Sequence, residues 1–398
     1  MYITDGKIAA IGKCPPNFPT QCRTFDAQGA YVLPGLIDCR ARLLGGEAEA
    51  GNLMRSETLA SARGGVTTAL IPPTTDFMLD KPSAVAALRR AGDSISEMRI
   101  MPICNLLTAD GDSLSEMGSL ADYGSIGAGN SHYIGNSQLL LNAMKYARNF
   151  DLTLCATARD SSLGRGYVHL SPLSARLGLP VVSETAETIE VARWLLLAEQ
   201  AECRLHFATI STARAVEMIA LARDRGQPVT ADVPIHNLIM TDERIAGYDG
   251  AYHLMPPLRS ESDRQALLEA VRSNMFCISS NHRPLVSTAK YEVFGAGEPG
   301  AASIETLLPL GLKLVEHRDL TLEQLVNALT ALPAQAFDLQ VGSLRVGAAA
   351  DLCIVDVSAQ WTVASDQLRT SGENCIELGS EVCGKVLATC CNGALHDG

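Results

Sequence analysis

The sequence predicts an α/β fold: a closed (β/α)8 TIM barrel with a small β-domain that is built from both chain ends. The first observation is an alternation between about residues 38 and 314, where short apolar runs are each followed by a helical stretch. Strands that alternate with helices over this length indicate a parallel sheet, and this many units favour a closed barrel. The second observation is that strand-like segments occupy both termini. We therefore predict a β-domain from residues 1–33 and 339–398, and a barrel domain from residues 34–338.

The individual elements follow from local patterns along the chain. Residues 5–12 are typical of a hairpin arm with glycine at both ends, and residues 30–33 form a further short strand. Amphipathic spacing predicts helices at residues 185–199 and 212–225, and residues 321–338 are also helical in pattern. The remaining strand-like runs are residues 67–71, 101–104, 152–155, 180–182, 204–207, 229–231, 276–278 and, after the barrel, 341–356.

Composition limits the classes of partner. The chain of 398 residues carries a formal charge of −12, which argues against nucleic acid and anionic membrane surfaces. No apolar run reaches the length of a membrane span, and the N-terminus has no basic and apolar signal segment. The twelve cysteines form no CxxC pair and are typical of reduced thiols. We therefore expect a cytoplasmic protein with no nucleic-acid and no membrane partner.

The most informative stretch is residues 34–43, which read Pro-Gly-Leu-Ile-Asp-Cys-Arg-Ala-Arg-Leu. A tight turn followed by apolar residues predicts a buried strand. Arg40 and Arg42 are two residues apart, so their side chains project from the same face of that strand. A guanidinium is always protonated and has no free lone pair, so neither arginine can ligate a cation.

This stretch resembles the metal-binding strand of the amidohydrolase superfamily, whose frame is Pro-Gly-x-Ile-Asp-x-His-x-His. Residues 342–356 are similar to the superfamily's Gly-x-Leu-x-x-Gly-x-x-Ala-Asp-Leu-x-x-x-Asp motif. Residues 64–68, 256–260 and 304–310 resemble the dihydroorotase branch in particular. The resemblance covers essentially the whole chain. It implies a chemistry that needs a metal-activated hydroxide, an aspartate that shuttles its proton, and side chains that hold a substrate carboxylate.

The resemblance also implies which positions of this chain should carry that chemistry, and none of them holds the expected residue. An asparagine replaces the catalytic aspartate, and an amide cannot accept a proton from water at neutral pH. We therefore predict no catalytic residue, no metal and no cofactor. At the metal and base positions, Arg40 and Arg42 replace two histidines, Asn130 replaces the bridging lysine or aspartate, Thr157 and Thr209 replace two further histidines, and Asn281 replaces the aspartate. At the substrate positions, Leu44 replaces an arginine, Pro73 replaces an asparagine and Leu285 replaces a histidine.

Nearby polar residues could rebuild a site, but their positions argue against it. His206 lies three residues before Thr209, so regular alternation directs it toward the outer helices. His282 follows Asn281 and is expected to point away from it, and Asp38 is interpreted as a strand-end hydrogen-bonding residue.

The two arginines need a counter-charge, because buried guanidiniums side by side are costly. We expect at least one of Arg40 and Arg42 to form a salt bridge, with Asp160 as the first candidate and Asp38 as the second. The alternative is that both guanidiniums bind an anion.

Within the dihydroorotase branch, the chain resembles the non-catalytic dihydroorotase-like partner of aspartate carbamoyltransferase in some bacteria. The resemblance implies a scaffold that binds the catalytic chain of that transferase in de novo pyrimidine biosynthesis, with a homodimer as the expected oligomer. Such relatives usually extend further before the first hairpin, which leaves the completeness of the N-terminus open. Two alternatives are a cyclic amide hydrolase of the dihydroorotase type with a relocated site, and an anion-binding sensor that uses the arginine-lined barrel mouth. The matching segments are residues 55–58, 184–188, 229–233, 252–253 and 372–375.

Overall fold

A computed structural model of the chain describes residues 1–397 except 17, 20, 44–49, 95–96 and 291–292, and at residues 50–53 it describes the backbone alone. Eight parallel strands form one sheet in the order of the chain. A parallel bridge between Ala41 and His282 closes the sheet, and Arg42 N donates to His282 O at 3.0 Å. The predicted (β/α)8 barrel is therefore confirmed. Its strands, called first to eighth below, are Leu36–Asp38, Val66–Ile71, Arg99–Asn105, Gly127–Gly129, Thr153–Thr157, Leu205–Ala208, Val229–Pro234 and Phe276–Ser279.

Helices cover the outside of the barrel. Their ends carry ordinary capping signals: Asn136 Oδ1 accepts from Gln138 N at 3.0 Å, and Ser260 forms a capping box with Asp263. In the part of the chain that the structure describes, no helix is long and apolar enough to cross a bilayer. The α-helices are Ala50–Arg63, Pro82–Asp93, Met117–Asp122, Ser137–Arg148, Pro172–Leu177, Thr185–Ala201, Ala213–Asp224, Ile235–Ile239, Glu261–Arg272, Leu307–Glu316, Leu322–Leu329 and Ala331–Ala336, and the 3-10 helices are Asp242–Gly247, Gly250–Tyr252 and Ser287–Lys290.

Both chain ends build the small β-domain, as predicted. An antiparallel sheet pairs Tyr31–Pro34 with Leu352–Thr362, which pairs in turn with Glu381–Cys391 and then Ala394–Asp397. A separate hairpin of Tyr2–Thr4 and Lys7–Ala10 is tied to this region by a bridge from Lys7 to Ala349.

The run at residues 180–182, predicted as a barrel strand, is not part of the barrel. Val181–Val182 instead pairs with Val168–His169 in a two-stranded parallel sheet of its own. Because strands of both kinds are short and apolar, the sequence cannot distinguish a strand of this small side sheet from a barrel strand.

The motif at residues 64–68 has a steric cause. A Cβ at Gly64 would collide with the carbonyl oxygen of Ile304, and Gly65 has φ +80°, a conformation that favours glycine. The turn into the second strand therefore needs both glycines where the chain passes the segment that leads to helix Leu307–Glu316.

The barrel interior is filled in layers. The lower layer is apolar, and helix Ala331–Ala336 with Phe337 closes it from below. Above it, the ring of His206 lies 4.8 Å from the ring of Phe337 and begins a polar layer. The strand residues of the lower layer are Ile37, Cys39, Leu70, Ile103, Cys155 and Cys277.

Candidate functional site at the barrel mouth

A cavity of about 460 Å³ opens where the barrel strands end at their carboxyl termini. This is the face at which (β/α)8 proteins place their sites. The structure brings together at this cavity all six positions that the sequence assigned to metal and base, and Pro73 as well. Leu285 does not line the cavity, and its backbone N donates to Asn374 Oδ1 at 2.9 Å. Leu44 lies outside the described residues.

Three of these positions are bonded to one another. Arg40 Nη1 donates to Thr157 Oγ1 at 3.4 Å. Thr157 N donates to Asn130 Oδ1 at 2.9 Å, while Asn130 Nδ2 donates to Thr157 O at 3.3 Å. The amide of Asn130 therefore joins the ends of the fourth and fifth strands. Asn281 Nδ2 similarly donates to Met255 O at 2.9 Å.

The prediction that His206 faces the outer helices is wrong. His206 points into the barrel, where Nδ1 lies 2.9 Å from Thr230 Oγ1 and Nε2 lies 3.1 Å from Asp232 Oδ2. The prediction assumed regular alternation up to Thr209. The sixth strand ends at Ala208, and Thr209 has φ +58°. The inward and outward alternation of side chains therefore stops one residue before Thr209.

Two fully buried carboxylates lie within the barrel. Asp232 accepts from Ser279 Oγ and contacts His206. Asp38 accepts from Ser280 N at 3.0 Å and from Ser280 Oγ, and it also accepts from the backbone N of Arg40 at 3.2 Å. Burial raises the pKa of Asp38, and the hydrogen bonds from Ser280 oppose that shift. These contacts match the strand-end role expected of Asp38.

His282 points away from Asn281, as expected, and does not line the cavity. Its Nδ1 accepts from the backbone N atoms of Ser303 and Ile304 at 3.1 and 3.3 Å. Its proton therefore lies on Nε2, which donates to Glu57 Oε2 at 2.8 Å. His282 is thus a fully bonded residue beside the site.

The expected salt bridge to Arg40 or Arg42 is not formed within the described residues. Asp160 instead accepts from Ser162 N and Leu163 N, both at 2.9 Å, and its pKa is lowered by the hydrogen bond from the Ser162 hydroxyl. A short aspartate side chain that caps its own loop cannot also reach across the cavity.

The lining of the cavity is strongly cationic. Burial and, to a smaller extent, the charges of Arg40 and Arg283 together lower the pKa of Arg42 to about 9. One carboxylate side chain is among the described lining residues, that of Glu187, and both of its oxygens accept from Ser211 and Thr212 at 2.6 to 3.2 Å. The six arginines that line the cavity are Arg40, Arg42, Arg159, Arg165, Arg259 and Arg283.

Four of these arginines were missed by sequence reasoning, although two carried a signal. Arg159 and Arg283 each lie two residues after a degenerate position, at the same spacing that separates Arg42 from Arg40. Arg259 lies in the family motif at residues 256–260, which does not by itself place the side chain at the cavity, and Arg165 lies in a loop without a local pattern.

The residues at the mouth do not suit a catalytic divalent metal. Structural and catalytic zinc sites use thiolates, imidazoles and carboxylates. The six positions offer guanidiniums, amides and hydroxyls, and no cluster of three His, Cys, Asp or Glu side chains suited to a metal occurs among the described residues.

Comparison with solved structures defines the fold first. The chain is similar to L-hydantoinase (dihydropyrimidinase) from Arthrobacter aurescens, with a TM-score of 0.84 and 22% identity, over 99% of this chain and 91% of that one. A D-hydantoinase structure gives a TM-score of 0.84 at 24% identity, over 99% of this chain and 90% of that one. The chain therefore has the barrel-plus-β-domain fold of these hydantoinases.

Sequence comparison then defines the family. A family model described as dihydro-orotase-like matches residues 29–215. The chain is 40% identical to a dihydroorotase-like protein of Pseudomonas putida, over 100% of this chain and 94% of that relative. It is 39% identical to a dihydroorotase-like protein of Pseudomonas aeruginosa, over 100% and 95%. It is also 32% identical to a dihydroorotase of Syntrophus aciditrophicus, over 99% and 94%. The chain belongs to the dihydroorotase family of the amidohydrolase superfamily.

Proposed function

We propose that this protein is a non-catalytic dihydroorotase homologue that acts as an assembly partner of the aspartate carbamoyltransferase catalytic chain. The observation that carries the proposal is the set of six side chains at the metal and base positions. Two of them are arginines, whose charge repels a cation, and the other four are neutral amides and hydroxyls.

The missing base supports an inactive site. Hydrolysis of a cyclic amide needs a group that takes a proton from the attacking water. Asn281 cannot do so. The carboxylate of Glu187 already accepts from four donors, the backbone N atoms and the hydroxyls of Ser211 and Thr212. Asp38 and Asp232 are fully buried and bonded to serines. Among the described residues, none of these carboxylates is available as a base.

Two lines of support favour the assembly role. The chain is more similar to the two Pseudomonas dihydroorotase-like proteins, at 40% and 39% identity, than to the dihydroorotase of Syntrophus, at 32%. It also resembles the non-catalytic partner of the transferase at the five segments named above. A contact function places no demand on the barrel mouth, which accounts for the loss of ligands, base and substrate positions together. A cytoplasmic homodimer is part of this proposal.

Co-purification tests the proposal. The chain is co-expressed with a tagged transferase catalytic chain from the same organism, and the eluate is analysed by size exclusion with light scattering. We expect a complex of defined mass that elutes ahead of either chain alone. A tagged transferase that leaves this chain in the flow-through at matched expression contradicts the assembly role.

The inactivity is tested separately. The purified chain is assayed for dihydroorotate hydrolysis with and without added zinc. We expect no turnover above the buffer in either case. Turnover that depends on this chain would establish the hydrolase with a relocated site instead.

A further inference from the structure

Arg40 and Arg42 stand out among the cavity arginines because their guanidiniums are almost unused. The single hydrogen bond of the Arg40 guanidinium to a described residue is the one to Thr157 Oγ1, at 3.4 Å, which is long for an N–H donor. The Arg42 guanidinium forms no hydrogen bond or ion pair with a described residue. Each guanidinium has five N–H donors.

The other arginines have protein partners. Arg259 donates to Ser211 Oγ at 3.1 Å and to Val182 O at 2.9 Å. Arg283 donates to Pro299 O at 2.6 Å and forms an ion pair with Glu298. Arg159 donates to the carbonyl of Gly164. These side chains contribute positive potential to the cavity, while free donors remain at Arg40 and Arg42.

This arrangement suits an anionic guest. Unpaired charges that are largely removed from water are costly, and the cost is offset when an anion accepts their hydrogen bonds. A guanidinium binds a carboxylate or a phosphate through two parallel hydrogen bonds, so two neighbouring guanidiniums favour a ligand with two or more charges. A cavity of about 460 Å³ lies within the usual range for small-molecule sites.

We infer that the barrel mouth binds a small, multiply charged anion, a phosphate-bearing or polycarboxylate molecule, through Arg40 and Arg42. The site lies where the family resemblance places the catalytic metal, but it binds an anion instead of a cation. The inference does not depend on assembly with the transferase, because binding is measured on the chain alone.

Calorimetric titration with pyrophosphate and with citrate tests the inference. The test variant is Arg40→Gln with Arg42→Gln. The matched control is Arg214→Gln with Arg225→Gln, which removes the same charge from exposed positions at the two ends of helix Ala213–Asp224.

We expect the wild type and the control to bind at least one of the two anions at millimolar concentration or below. The test variant should bind about tenfold more weakly or worse for each guanidinium removed, as expected for the loss of one charge-assisted hydrogen bond. Binding of pyrophosphate alone assigns a phosphate ligand, and binding of citrate alone assigns a polycarboxylate. No binding to the wild type, or equal binding to the test variant, overturns the inference.

Protection from chemical modification supplies a test that needs no variant. The wild type is treated with phenylglyoxal, which modifies accessible arginines, and the sites are mapped by peptide mass spectrometry. The anion should protect Arg40 and Arg42 and leave Arg214 and Arg225 reactive. Equal modification of Arg42 with and without the anion overturns the inference.

Discussion

Replacement of Glu57 by glutamine is expected to destabilise the fold strongly, although Glu57 lies outside the cavity. Glu57 is fully buried on helix Ala50–Arg63. Its carboxylate accepts from His282 Nε2 at 2.8 Å, from Thr370 Oγ1 at 2.7 Å and from Ser371 N at 2.9 Å. It therefore joins the first barrel helix to the end of the eighth strand and to the loop before the last long strand.

The pKa of Glu57 gives the magnitude. Burial raises this pKa, but the hydrogen bonds from His282, Thr370 and Ser371 outweigh burial and lower it from 4.5 to about 2. That difference corresponds to about 3 kcal/mol of folding free energy at neutral pH. Because the pKa in the folded state is the lower one, this contribution is complete above pH 4.5 and is lost as the pH falls through about 2.

Urea denaturation at several pH values measures the effect. At pH 7 the glutamine variant should lose about 3 kcal/mol, since its amide N–H₂ or its neutral oxygen replaces a charged acceptor opposite the His282 proton. The difference in free energy of unfolding between the variant and the wild type should narrow as the pH is lowered from 4.5 toward 2. The control is Glu217→Gln on an exposed helix face, which should stay within about 0.5 kcal/mol of the wild type. A Glu57 variant that is as stable as the control at pH 7, or a gap that does not change with pH, refutes the reasoning.

Three further predictions concern the barrel mouth. Elemental analysis should find no stoichiometric zinc in the purified protein. The double variant Arg40→His with Arg42→His should not hydrolyse dihydroorotate, because the other four positions still lack metal ligands and a base. Zinc-dependent turnover by that variant would contradict the prediction. Arg42→Gln should raise the thermal unfolding midpoint at pH 7, because burial and two neighbouring guanidiniums lower the pKa of Arg42 to about 9. Calorimetry should show that this gain fades above pH 9, where the wild type loses the buried charge. A lowered midpoint at pH 7 would contradict the prediction. Arg40→Ala should change stability more than co-purification with the transferase, and a folded variant that no longer binds would make the mouth the recognition site.

The fold could be predicted from the sequence because its signals are local and repeated. Short apolar runs identified seven of the eight barrel strands, and the family frame located the remaining one, Gly127–Gly129, through Asn130. The glycines at residues 64–65 mark a turn whose geometry excludes side chains. The prediction failed where strand type depended on the partner. Val181–Val182 has the composition of a barrel strand but pairs with Val168–His169, a choice that only the tertiary structure makes.

The site could be predicted in its positions but not in its charges. The family frame led to the six cavity positions, since a frame fixes residue order along each strand. It could not place His206, because a left-handed Thr209 breaks the alternation on which the prediction rested. The frame also could not identify a counter-charge for the arginines. Asp160 lies near the fifth strand in sequence, but its Oδ1 accepts from Ser162 and Leu163 of its own loop.

The two central arginines are not equivalent, and the difference links stability to binding. Burial lowers the pKa of Arg40, but the buried carboxylates of Asp232 and Asp38 act on it from within the barrel and oppose that shift. Arg42 faces Arg40 and Arg283, and the acids that act on it, Asp76 and Glu298, are exposed, where solvent screens them. An anion in the cavity therefore relieves Arg42 most. Arg42→Gln is therefore expected both to stabilise the protein without the anion and to weaken anion binding most. The gain in stability of this variant over the wild type should shrink when the anion is bound to the wild type.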